Sequence, residues 1–316
     1  MRKRALGKTG LFVAEMGIGT WGLSGDAYGP VEPADAERVL HRAIDVGMTL
    51  IDTADTYGGG KMEHLLGKAL APYKNKDLVL VTKGGTDRST TPARKRFDGP
   101  YLVESVERSL KRLGRERLDV YLLHNPSVDA LLAGEAFETL QKLKQDGKIG
   151  HYGIAAGDSE VAMTALDRGA EVISMSYNLL HSVDLHRVAG EIMVSGAGVL
   201  VHSTLAYGLL SGLWAHGHSF AEGDHREKRW EKHELAKRID QLDALRFLVK
   251  GNVHSLRAAA IRFALANHLV SCAILGPRTV DQLVELVRET GGGPVYLPDA
   301  DLAALPRTLA KVGIMM

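Results

Sequence analysis

The chain has 316 residues, 45% of them hydrophobic and 24% charged, which is the balance of a folded globular protein and excludes a disordered one. Lys and Arg number 39 against 38 Asp and Glu, a net charge of +1, so no overall basic field argues for a nucleic-acid partner. A single cysteine, Cys272, excludes an intrachain disulfide, and no Cys/His spacing suits zinc.

The basic start MRKRALGKTGLFVAEMG builds no apolar run of signal-peptide length, because Glu15 interrupts the one candidate. No stretch approaches the ~18 apolar residues of a membrane span, so the expectation is a cytoplasmic protein with no membrane partner. The segment RALGKTGL-V reads as a small hairpin turning at Gly7–Gly10. Short apolar runs then read as buried parallel strands, since a sheet covered on both faces needs no polar alternation. They are 16–20, 49–53, 78–82, 118–124, 150–156, 172–178, 198–204 and 272–276. Segments of helical period lie between them, at 33–47, 62–71, 100–114, 129–146, 158–168, 183–194, 253–267 and 279–290. The first opens near Pro33 and stops on Gly47, and the third closes on Gly114, the usual start and stop signals.

Eight strand–helix repeats predict a (β/α)8 TIM barrel, with residues 1–316 as one domain. Two connections are long, 84–99 after strand three and 206–251 after strand seven. Both hang over the C-terminal mouth, where such barrels keep their chemistry. A doubly wound fold is the competitor, because GIGTWG at 17–22 is a formal G-x-G-x-x-G match. In that fold a helix opens directly on the glycines, whereas about ten residues intervene here before Pro33. The match is read as coincidence.

A polar residue at the C-terminal end of a barrel strand reads as functional. Asp52 ends strand two in IDTADTYG with Tyr57 in the following loop, Lys83 ends strand three in LVTKGG, and His124 ends strand four in YLLHNP. A buried Lys or Asp is rare unless paired. Together they suit proton transfer to a developing alkoxide: Tyr57 as the acid, Lys83 lowering its pKa, Asp52 holding Lys83, and neutral His124 orienting a carbonyl. Nothing in the group is a strong nucleophile, so a hydride source is needed.

At these residues the chain resembles the aldo-keto reductase superfamily almost end to end. The pieces are LGKTGL, GIGTWG, GMTLIDTADTYGGGKMEHLLGKAL, VTKGG, SLKRLGRERLDVYLLHNPS, GKIGHYGI, YNLL, STLAYGLLSG and ILGPRTVDQLVE. The resemblance implies the barrel, NADP(H) bound without a dinucleotide-binding domain, reversible carbonyl reduction, and the tetrad Asp52, Tyr57, Lys83, His124. It also implies cofactor contacts at Gly19, Thr20 and Trp21, at Ser203, Leu205 and Gly208 against the pyrophosphate, and at Gly276, Arg278, Gln282 and Glu285 along the adenosine. Arg278 suits a 2′-phosphate, because a guanidinium grips phosphate with paired donors; the plainer reading is a surface residue at a helix start.

Several positions depart from the family pattern. Leu286 stands where an Asn is expected and Thr204 where a proline is common. At the nicotinamide subsite Ala155 and Ala156 replace Ser-Asn, Ser174 replaces Gln, and His202 replaces an aromatic Tyr. Ser174, Ser176 and Asn178 are the alternative replacements.

The substrate pocket is expected at Trp21, Tyr57 and His124, with Phe97 and Trp214 as lids or as plain loop packing. The loop 84–99 is locally basic through Arg88, Arg94, Lys95 and Arg96, and is read as solvated, the alternative being attraction of an acidic substrate or the cofactor phosphates. The histidines of 206–251 lack a zinc pattern, and no metal is expected. The expectation is an NADPH-dependent reductase of an aldehyde or ketone. The alternatives are an NAD(P)-dependent sugar dehydrogenase and a cofactor-sensing subunit with slow chemistry. The oligomeric state is not legible.

Overall fold

The computed structural model describes residues 1–291 and 293–316. An antiparallel hairpin of β1 (Lys3–Ala5) and β2 (Phe12–Ala14) precedes a closed ring of parallel strands. The ring contains β3 (Met16–Gly19), β4 (Leu50–Asp52), β5 (Val79–Gly84), β8 (Leu118–His124), β9 (Ile149–Ala155), β10 (Val172–Ser176), β11 (Gly198–His202) and β12 (Val270–Leu275). Strand β12 pairs with β3 and shuts the ring, so the fold is a (β/α)8 barrel. A further hairpin, β6 (Thr86–Asp87) with β7 (Arg94–Lys95), lies inside the long loop after β5.

The helices that cover the ring are α1 (Pro33–Asp45), α2 (Lys61–Ala69), α3 (Gly99–Leu113), α4 (Val128–Leu132), α5 (Glu135–Gln145), α6 (Ser159–Asp167), α7 (Val183–Arg187) and α8 (Ala189–Ser195). They are followed by α9 (His225–Arg229), α10 (Lys232–Asp243), α11 (Leu256–Ala266), α12 (Val280–Thr290) and α13 (Asp299–Ala310). Helix α3 shows why the sequence signals were legible. Asp98 accepts the Tyr101 N–H as its N-cap, Pro100 occupies the first turn, and Gly114 ends it at φ 62°.

Some boundaries differ from the sequence reading. The helix expected over 129–146 is two, because Gly134 takes φ 83°, and that over 183–194 divides at Val188. Helix α13 carries Pro306 in its interior and had no counterpart in the sequence reading.

The core has two layers. The larger fills the space between the ring and the helices, with Leu40, Leu66, Leu102 and Leu140 among its members. The smaller fills the ring itself, where Leu50, Val81, Val120, Leu122, Val172 and Leu200 point inward. Leu6, at the tip of the first hairpin, is fully buried in this inner layer and plugs the barrel floor, a burial that stabilises by about 1.5–3 kcal/mol. The plug needs glycine at position 7, where a Cβ would stand 2.3 Å from the Gly198 nitrogen. Among the described residues no helix is long and apolar enough to cross a membrane.

Candidate active site

Strand periodicity carries the inner face directly into the mouth. Two residues beyond Leu50, Val81, Leu122, Val172 and Leu200, on the same face, stand Asp52, Lys83, His124, Ser174 and His202. The apolar filling thus ends in a polar layer at the C-terminal rim. Lateral register places His124 beside Ala155 and Ala155 beside Ser174.

Asp52 and Lys83 are both buried and joined, with Lys83 Nζ donating to Asp52 Oδ1 at 2.6 Å and to the Thr53 carbonyl at 2.8 Å. Burial pushes the Asp52 carboxyl upward and the Lys83 cation works against that push. Thr20 supports the pair from β3: its backbone N–H and its hydroxyl both donate to the Asp52 carbonyl, at 2.9 and 3.0 Å. Thr20 therefore props Asp52 with both of its donors. Gly19 likewise has a packing reason, since a Cβ there would stand 2.8 Å from Ile274 Cγ2.

Tyr57 is half-buried, and the Lys83 ammonium lies 5.4 Å from its ring centroid. The ring stands edge-on to His124 at 6.3 Å and near-parallel to Trp21 at 6.4 Å. The expected lowering of its pKa by Lys83 is not what the resting site does. Burial first, then the charges of Asp52 and Asp26, hold the phenol well above its ordinary value. His124 is held down to about 3 by burial and by Lys83, Lys95 and His202, so its imidazole is neutral, and its buried Nδ1 has no partner.

Trp21 belongs to an aromatic wall that the sequence reading only partly found. Its ring lies 4.6 Å from His225, 5.4 Å from Tyr28 and 6.4 Å from Tyr207. Residues 27–28 and 224–225 are stitched together by a bridge between Tyr28 and Asp224 and by the His225 N–H donating to the Ala27 carbonyl. The long loop after β11 is thereby fastened across to the loop after β3. The charge pattern of HREKR (225–229) gave no hint of this, since the contact is non-local.

Of the two aromatics expected as lids or as loop packing, Phe97 packs on the backbone of Gly85, where a Cβ would stand 2.1 Å from its ring. Trp214 stacks on His218, meets Phe220 and the Arg226 guanidinium, and lies 3.0 Å from where a Gly208 Cβ would stand.

The positions expected around a cofactor form a second half of the mouth. In the loop after β11, Ser203, Ala206, Tyr207 and Gly208 all have positive φ, at 55°, 46°, 59° and 102°. Left-handed non-glycine residues so clustered cost about 1–3 kcal/mol each and persist where function requires the shape. Asn178 holds this loop, its Nδ2 donating to the Ser203 carbonyl while its Oδ1 accepts the Leu180 N–H. Its amide is thus engaged, whereas the buried Ser174 hydroxyl has no partner. His202 Nδ1 lies 3.0 Å from Ser203 Oγ, and burial together with Lys83 holds this imidazole down to about 4.

At the last strand–helix junction Gly276 leaves open space where a Cβ would stand. Gln282 accepts the Arg278 N–H, and the Arg278 guanidinium donates to the carbonyls of Gly22, Gly29 and Pro30. Glu285 is paired with Arg257 at 3.0 Å, and Leu286 is buried in the outer core. A cavity of about 460 Å³ at the opposite, floor end, lined in part by Arg4, Tyr296 and Leu297, touches none of these groups. The chemistry-bearing side chains, not that void, locate the site.

Residues 15–290 match the model of the aldo/keto reductase family. The aldo-keto reductase YhdN of Bacillus subtilis (strain 168) is 30% identical over 92% of this chain and 89% of its own. Among solved structures, the glycerol dehydrogenase AKR11B4 from Gluconobacter oxydans superposes with a TM-score of 0.84 at 27% identity, covering 98% of this chain and 96% of that one. The holo form of aldo-keto reductase AKR11C1 from Bacillus halodurans gives 0.80 at 27% identity, covering 99% and 96%. The chain belongs to the aldo/keto reductase family and is an oxidoreductase of that class.

Proposed function

We propose that the protein reduces aldehydes or ketones to alcohols with NADPH, and that Tyr57 donates the proton. The observation that carries this reading is the buried Asp52–Lys83 pair beside a protonated Tyr57 and a neutral His124. The residues at the mouth fit a nicotinamide dinucleotide. Ser174 offers a buried hydroxyl without a partner level with His124, Gly276 leaves backbone open, and Arg278 has no carboxylate within 4 Å among the described residues, so a 2′-phosphate would meet an uncompensated guanidinium. Ser203, Leu205 and Gly208 would lie along the pyrophosphate, and Gly276, Arg278 and Gln282 along the adenosine.

When bound, the cofactor supplies a hydride to the carbonyl carbon. Tyr57 gives its proton to the carbonyl oxygen as negative charge grows there. A high phenol pKa is no obstacle, because the alkoxide's conjugate acid is weaker still, in the range of water itself. Lys83 stabilises the phenolate that results, and Asp52 keeps that ammonium in place. Neutral His124 can donate a hydrogen bond to the carbonyl oxygen without competing for the proton. Trp21 forms the apolar wall.

Titration of tryptophan fluorescence with NADPH and with NADH tests the cofactor half. Tight binding of NADPH alone, weakened by Arg278→Ala, is the expected result. Equal binding of NADH overturns the NADPH assignment.

A second reading runs the chemistry toward oxidation of a sugar or polyol. Ala155, Ala156 and Ser174 at the nicotinamide subsite, and the likeness to a glycerol dehydrogenase, favour it. Initial rates with NADP+ plus aldoses or glycerol, compared with NADPH plus aldehydes, separate the two directions.

A further inference from the structure

The loop between β5 and α3 carries four cations, and the fold treats them in two ways. Arg94 and Arg96 are neutralised: both approach Asp87, at 3.3 and 3.6 Å, and Arg96 also pairs with Asp98 at 2.7 Å. Arg88 and Lys95 have no carboxylate within 4.0 Å among the described residues. They are held by neutral oxygens instead. Arg88 Nη1 donates to the Thr56 carbonyl at 2.5 Å, while Lys95 Nζ donates to the His124 carbonyl at 2.6 Å and to Thr86 Oγ1 at 3.0 Å. Their anchors are the residue before Tyr57 and His124 itself.

The β6–β7 hairpin explains the placement. Its register sets Lys95 opposite Thr86, so the loop doubles back over the ends of β4, β5 and β8. Two positive charges are thereby fixed on the rim beside the two groups that would hold a carbonyl oxygen. No surrounding acid forms an ion pair with them. Asp55 acts on Lys95 only at longer range, and its field is shared with Arg112 and Arg108. Asp26, on the far flank of Tyr57, accepts the Gly58 N–H. Lys95 is held below the ordinary ammonium range by desolvation, a cost that a bound anion would relieve.

We propose that Arg88 and Lys95 form an anion-binding edge of the substrate site, and that the preferred substrates are small aldehydes or ketones carrying a carboxylate or phosphate a few bonds from the carbonyl. The inference rests on the carbonyl-reductase reading and adds the substrate's charge to it. The anion belongs to the substrate and not to the cofactor for a topological reason. Counted round the ring, β12, which leads into Arg278, is three strands from β5, and β11, which leads into residues 203–208, is four. The cofactor's phosphates would thus lie on the other side of the mouth. Fixed cations at a rim raise the encounter rate of an anion and weaken with salt, so the preference is also salt-dependent.

The experiment compares kcat/KM for matched pairs: 4-oxobutanoate with butanal, and glyceraldehyde 3-phosphate with glyceraldehyde, each with NADPH. The expected result is a charged-to-neutral ratio well above one for at least one pair, with the pair identifying carboxylate or phosphate. Lys95→Met and Arg88→Met should each lower that ratio by about tenfold. Arg94→Gln, which removes a cation already neutralised, should leave it within about twofold. Raising salt from 0.05 to 0.5 M (about a threefold shorter screening length) should lower the ratio as well. Equal rates on charged and neutral partners, unmoved by either substitution, overturn the proposal and leave the reductase reading standing. No reduction of any of the four overturns both.

Discussion

On the side of the mouth formed by β4, β5 and β8, the central ion pair is already made: Lys83 donates to Asp52 and to the Thr53 carbonyl, and Thr20 supports Asp52. On the side formed by β9, β10 and β11 the same layer presents Ala155, a Ser174 hydroxyl with no partner, and a loop held in left-handed conformations, while Ala156 packs into the outer core. His124, with its orphaned Nδ1, stands at the border and shares the character of the second side. The Asp52–Lys83 pair at the centre of the first half is made without a ligand. The second keeps polar groups that only a ligand would satisfy, at a cost of about 1–3 kcal/mol for each buried unmade hydrogen bond. Under the proposed function, the contrast separates a preorganised proton-transfer apparatus from a surface shaped for a bound molecule.

The strongest way to break this contrast is Tyr57→Phe. It removes only the hydroxyl, so turnover should fall by about 10²–10⁴-fold while NADPH still quenches tryptophan fluorescence. Activity within tenfold of the parent would show that another group donates the proton. Lys83→Met tests the pairing itself. It strands a buried carboxylate, so unfolding by denaturant should show a loss of about 3–5 kcal/mol. Adding Asp52→Asn to that variant should return part of the stability and none of the activity.

Effects on the second side should be smaller and should depend on ligand. Arg278→Ala is expected to weaken NADPH binding by about tenfold or more, as loss of a charge-assisted contact does, and to leave NADH binding unaltered. Ser174→Ala should stabilise the free protein by about 1 kcal/mol, because it removes a buried hydroxyl that has no partner. It should also weaken nicotinamide-nucleotide binding. If the substitution leaves binding unchanged, the hydroxyl does not face the cofactor.

The same division governs how far the sequence could be read. Asp52, Lys83 and His124 were legible because strand ends in a barrel point inward at a known face, a local rule that needs no partner. Helix limits at Asp98 and Gly114 were legible for the same local reason. The Tyr28–Asp224 bridge and the His225 ring against Trp21 were not, since they join positions about 200 residues apart and no spacing reports them. Phe97 stayed open between lid and loop packing because an aromatic in a long loop reads alike whether it faces a mouth or covers a glycine backbone. Helix α13 was hidden by Pro306, which interrupts the helical pattern that its neighbours complete. The two uncompensated cations were visible as residues, but only the hairpin register showed which two of the four lack a carboxylate.

The smallest expected effect is an absence of change, and it tests both sides at once. The proposed reduction needs Tyr57 protonated and His124 neutral. Tyr57 lies well above its ordinary value of 10.0 and so keeps its proton to at least pH 9. His124 lies at about 3 and so is uncharged above pH 5. With butanal, which does not titrate, kcat/KM for reduction should therefore vary less than about twofold between pH 5 and 9. Oxidation of the alcohol requires Tyr57 without its proton, so its rate should instead climb by about tenfold per pH unit across the same window. A reduction profile that breaks near pH 6.5 would mean that a histidine titrates in the working site, as it would if water entered beside the orphaned His124 Nδ1.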